Sequence, residues 1–151
     1  MGSHPWNCIA PYEESLDEAL RKARHKEFLQ EVALDNASQY QGNEAAIEEG
    51  ISEYIEECDA DGTCSIIDVE TILVNQEEFD YGCSCPLSAE TLTRLFGTDK
   101  PSAETIHKGK TSLRSPISEL YGMLDRGQSC YIVVYDGNKA KELHFFGMSY
   151  D

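Results

Sequence analysis

The sequence predicts a single α+β domain, with helices packed on one side of a small, mostly antiparallel sheet that ends in a C-terminal β-hairpin. Three observations carry this expectation. Ser15, Asn43, Ser88 and Ser115 each stand at the head of a segment whose apolar residues have helical spacing, as a helix cap should. Two runs rich in β-branched and aromatic residues, Cys130 to Tyr135 and Glu142 to Met148, flank Asp136-Gly-Asn, a strong hairpin signal. With 151 residues, 40% of them hydrophobic, the chain can build one core that buries roughly two thirds of its unfolded surface. Residues 1–10 read as an N-terminal segment, part of it a tag remnant, ahead of a domain over 11–151.

Ser15-Leu-Asp-Glu is a capping box that predicts a helix running to about Leu34, with Leu16, Ala19, Leu20 and Ala23 as its apolar stripe. Asp17 with Arg21 and Glu18 with Lys22 are spaced to pair along it. Asp35 to Gly42 is polar and reads as a loop. From Asn43 a second helix follows, with Ile47, Ile51, Tyr54, Ile55 and Cys58 on its inner face and Glu44, Glu48, Glu49, Glu53, Glu56 and Glu57 outside. Ser65 to Val74 alternates Asp68 and Glu70 with Ile67, Val69 and Thr71, predicting a strand with one wet, acidic face. Ser88 starts a third helix that Leu87 and Leu92 staple and Gly97 stops, and a short helix follows Pro101. Ser115-Pro116 opens a further helix, carrying Ile117, Leu120, Tyr121 and Leu124 to about Gly127.

Charge is the chain's most unequal property. Between Glu27 and Thr93 there is no Lys, Arg or His, yet 17 of the 28 acidic residues lie there. The net charge is −16, and outside this block 12 basic residues face 11 acidic ones. A field of one sign attracts cations and basic proteins and repels phosphate, so nucleic acid is not an expected partner. No apolar run approaches the roughly 20 residues needed to cross a bilayer. Met1 to Ala10 has neither the basic start nor the apolar stretch of a signal peptide, so a soluble cytoplasmic protein is expected.

Glu57 to Asp68 overlays a twelve-position calcium loop, with oxygen donors including Asp59, Asp61 and Asp68 and with Gly62 at the sixth position. Cys58, Cys64, Cys83 and Cys85 supply the four thiols of a tetrahedral zinc site, although their gaps are not those of common zinc folds. Asp-Gly can equally serve as a plain turn from helix to strand, and the thiols as buried structural ones. A cysteine nucleophile would be Cys130 or Cys83. A two-residue turn pairs His144 with Tyr131, which puts Cys130 on the opposite face from that histidine. The sequence contains no phosphate loop and no Gly-x-Ser-x-Gly or His-Glu-x-x-His motif.

Several stretches carry a likeness: Pro11-Tyr-Glu, Ala19-Leu20 followed by Phe28, Asp61-Gly-Thr-x-Ser65-Ile-Ile-Asp68, Pro86-Leu-Ser, Leu95-Phe96-Gly97-Thr98, and Tyr131-Ile-Val-Val-Tyr-Asp-Gly. Together they resemble a family of small, uncharacterised bacterial proteins. The resemblance implies a stand-alone bacterial domain and assigns no activity; Cys58, Cys64, Cys83 and Cys85 lie outside its pattern.

These readings lead to an acidic protein-binding domain, of the immunity or inhibitor kind. It would dock a basic protein partner through Glu48, Glu49, Glu53, Glu56, Glu57, Asp59 and Asp61, with no cofactor. The alternatives are a calcium or zinc domain using the loop or thiols named above, and a small cysteine-dependent enzyme. A solvated acidic face without any partner is the plain reading of the same charges.

Overall fold

Among the described residues, five strands form one mixed sheet in the order β1-β5-β4-β3-β2. They are β1 (Pro5–Pro11), β2 (Thr71–Ile72), β3 (Cys83–Pro86), β4 (Ser129–Asp136) and β5 (Lys139–Met148). The computed structural model describes residues 3–57, 65–108 and 115–149. β1 and β4 both run antiparallel to β5, while β2 and β3 add the short parallel side, so the sheet is mostly antiparallel as expected.

The described residues also form five α-helices: α1 (Leu16–Glu27), α2 (Glu44–Glu57), α3 (Ala89–Phe96), α4 (Ala103–His107) and α5 (Pro116–Gly122). Their distribution differs from the one-sided cover that the pattern suggested. Alternation along β4 and β5 sends Tyr131, Leu143 and Phe145 to one face, where they pack with Ala19, Leu20 and Ala23 of α1. Cys130, Ile132, Val134 and Phe146 point to the other face and meet Leu92, Leu95, Ile106, Ile117 and Leu120. Both faces are therefore buried, each large apolar side chain contributing roughly 1.5–3 kcal/mol. α2 stands one layer further out. Its Ile47 and Ile51 close a third cluster with Phe28, Ala33 and Ile67.

Local chemistry explains most element ends. Ser15, Ser88, Ser102 and Ser115 each accept a backbone N–H in the first turn of the following helix. Asn43 does the same for Ala46, with Oδ1 at 3.1 Å. Gly97, at φ +77°, ends α3 in the left-handed region that glycine adopts without steric cost. α5 stops at Gly122, short of Gly127, because glycine weakens a helix interior; Leu124 is nonetheless buried.

Four stretches depart from expectation. The first helix does not run as α to Leu34: Phe28–Ala33 widens into a π turn, and Leu34–Tyr40 is a 3-10 turn where a loop was expected. Residues five apart share a side in a π turn, which lets Phe28 and Ala33 both reach the α2 cluster. Ser65 to Val74 is not one strand. Ile66 packs toward the sheet with α1 and Ile67 toward α2, two directions that a tight turn serves and a strand does not. The Ser65 hydroxyl accepts the Ile67 N–H at 3.2 Å and starts a 3-10 turn over Ile66–Asp68, leaving only Thr71–Ile72 as strand.

Pro5–Pro11 is a full strand in register with Glu142 to Met148, so the N-terminal segment is built into the sheet. Finally, the two-residue turn at Gly137 and Asn138 is present, but a bulge leaves Lys141 without an opposite residue and shifts the ladder by one. His144 therefore faces Ile132, not Tyr131, and it shares a sheet face with Cys130.

Candidate protein-docking surface

The outer face of α2 follows from its inner one. Ile47 and Ile51 are buried against Phe28, and Gly50 lets the helix come close: a Cβ there would lie 2.6 Å from Phe28 Cζ and 3.2 Å from Tyr40 Cε1. Phe28 and Tyr40 meet edge to face, with centroids 5.2 Å apart. With the inner side fixed, the 100° step of a helix places Glu49, Glu53, Glu56 and Glu57 on the side turned to solvent. All four are exposed.

The expected docking residues divide into three groups. Glu48, half-exposed, reaches across to α1, its carboxylate 2.6 Å from His25 Nε2, and Glu44 lies 3.3 Å from Arg21. These two carboxylates tie α2 to α1. Glu49, Glu53, Glu56 and Glu57 form no ion pair or side-chain hydrogen bond among the described residues. Asp59 and Asp61 lie outside the described residues.

The four outward carboxylates are arranged against their own helix. Glu53 has like charges at i−4, i+3 and i+4, each destabilising by about 0.2–0.5 kcal/mol. Glu56 and Glu57 sit in the last turn, beside the negative end of the helix dipole, with no basic residue there to offset them. Folding alone would favour lysine at these positions.

The negative field continues beyond α2 to the acidic side of the following segment, Asp68 and Glu70, and from there to Tyr81, which is not among the expected docking residues. A depression of about 130 Å³ is lined by Ile55, Asp68, Glu70, Thr71, Tyr81, Gly82 and Cys83. Tyr81 is 48% exposed, a large apolar ring within an acidic setting. Burial pushes the Cys83 thiol above its ordinary value, and the charges of Asp80, Glu70 and Glu78 push it further. Glu78, Asp80 and Tyr81 belong to the base-free block, which was the signal available for them.

Among the described residues, the metal and nucleophile candidates are not brought together into a centre. Cys58, Cys64 and most of the calcium-like loop lie outside the described residues. Among the described residues, no group of three or more His, Cys, Asp or Glu is placed to hold a metal ion. Cys83 and Cys85 lie on β3, and Cys85 stands in register beside Cys130 of β4, both completely buried. Burial pushes the Cys130 thiol well above its ordinary value and the Cys85 thiol up to about 11. A thiol so shifted holds its proton near neutral pH and is a poor nucleophile, although Cys130 and His144 share a face.

The surface thus belongs to an α+β domain that presents an acidic helix. The chain has no significant match to a family profile, a curated protein or a solved structure. No helix among the described residues is long and apolar enough to cross a membrane.

Proposed function

We propose that this chain is an acidic protein-binding domain, of the immunity or inhibitor kind, that docks a basic protein through the outer face of α2. The carrying observation is the stripe Glu49, Glu53, Glu56 and Glu57, which is exposed, unpaired among the described residues and electrostatically unfavourable to its own helix. A cationic partner converts that cost into binding energy, because each mutual repulsion becomes an attraction to the incoming surface. Asp59 and Asp61 follow the stripe directly in the chain, and Asp68, Glu70 and the Tyr81 ring line the adjoining depression. The Tyr81 ring suits a contact that needs apolar area as well as charge.

Association of this kind is fast and falls as salt screens it. Replacing Glu49, Glu53 and Glu56 together by Lys reverses the stripe and leaves the Glu48–His25 and Glu44–Arg21 ties untouched. The unaltered protein, immobilised in low salt, should retain a basic protein that elutes as salt rises, and the triple variant should not. Equal retention by both would sink the proposal.

A further inference from the structure

The β1 edge of the sheet carries a second surface. β1 is an edge strand, and its hydrogen bonds alternate. Tyr12 donates its N–H to the Lys141 carbonyl at 2.9 Å, and Ser149 donates to the His4 carbonyl at 2.9 Å. Even-numbered residues therefore turn their backbone toward β5, and the odd-numbered ones turn theirs outward. Of these, Pro5 and Pro11 have no N–H, so the outward donors are Asn7 and Ile9. Neither has an acceptor among the described residues. About Cys8 the pattern is palindromic: a donor one residue to each side and a proline three residues to each side.

Beside this edge, a groove of about 430 Å³ separates β1 from α1. Small residues leave it open, namely Cys8 and Ala10 on the strand and Ala19 and Ala23 on the helix. Its charged lining balances, with Lys22 and Lys26 against Glu13 and Glu27. In a chain of net charge −16, a neutral border is where a second molecule of the same charge can approach.

We propose that a second copy of this chain docks here, its β1 antiparallel to the first about a two-fold axis at Cys8. A palindromic edge is what an isologous contact requires. In this register Asn7 faces Ile9 of the second copy, and the two strands exchange four N–H···O bonds, using every outward donor. Pro5 faces Pro11 of the second copy, so no N–H is left unsatisfied. The prolines end the ladder on both sides, and the pairing consumes the edge, so the contact closes as a dimer without growing into a fibre. The balanced charges also complement themselves, since each Lys meets a border that holds as many Glu as Lys.

Sedimentation velocity on the full chain tests this. The expected result is a monomer–dimer equilibrium that strengthens with salt, because screening removes the repulsion between two chains of charge −16. The Ile9→Pro substitution deletes one outward donor per chain, two of the four new bonds, and leaves the bonds to β5 intact. It should weaken dimerisation at least tenfold. A second measurement needs no variant: mild oxidation of the unaltered protein with diamide should give a Cys8–Cys8 link, read by mass spectrometry. The two thiols would oppose each other at a pair with Cα atoms about 4.5 Å apart. A monomer at every concentration, a dimer indifferent to Ile9→Pro, or oxidised dimers that never contain the Cys8 pair would each overturn the proposal.

Discussion

Replacing Glu53 by Gln should make the isolated protein more stable. Glu53 is exposed at the centre of the α2 stripe, with Glu49 one turn before it and Glu56 and Glu57 one turn after. Three like-charged neighbours at about 0.2–0.5 kcal/mol each give a cost of roughly 1 kcal/mol at low salt. Gln has nearly the same helix propensity and side-chain length, so the substitution removes the charge and little else. For a domain of this size, roughly 1 kcal/mol corresponds to about 2–4 °C in midpoint. The assay is thermal unfolding followed by circular dichroism in about 0.01 M and about 1 M salt, where the screening length falls from roughly 30 Å to roughly 3 Å. The variant should lead at low salt, and the lead should vanish at high salt. A variant less stable at low salt, or a lead that ignores salt, would refute the idea that the stripe opposes its own helix.

Other consequences follow from packing and from the thiols. Gly50→Ala should destabilise the fold by about 1 kcal/mol or more in urea unfolding, since about 1–3 kcal/mol of overpacking against Phe28 exceeds the roughly 0.5–1 kcal/mol gained in helix propensity. Stabilisation would show that α2 sits further from Phe28 than described. Cys8, pushed up to about 11 by burial and then by the charge of Glu27, should alkylate more slowly in native than in unfolded protein at pH 8. Because the folded thiol holds its proton more tightly than the unfolded one, stability should fall as pH rises from the unfolded thiol range toward 11. Denaturant midpoints across that range check the sign.

Features set by short-range chemistry were legible in the sequence. Ser88 and Gly97 bracket α3, Ser115-Pro116 opens α5, Asn43 caps α2, and Asp136-Gly-Asn turns the hairpin, because each acts on backbone groups within four residues. Features set by distant partners were not. β3 is built from Cys, Ser, Cys and Pro, residues without strand preference, and it becomes a strand because β4 lies alongside. β1 has Trp6, Cys8 and Ala10 alternating inward, but the small residues and terminal prolines hide that period. The hairpin register turned on Lys141, an inserted residue that Asp136-Gly-Asn says nothing about. Of the candidate surface, its exposed stripe was legible from the period of Ile47 and Ile51. The reach of Glu48 across to α1 was not, because it depends on His25 of that helix.

The proposal that α2 docks a basic protein is tested most directly by the association rate of the retained partner as ionic strength rises, for the unaltered protein and for the triple Lys variant. Steered encounter predicts a steep fall with salt for the unaltered protein and, at low salt, a variant slower by about tenfold or more. A rate that ignores both salt and the three reversals would contradict it.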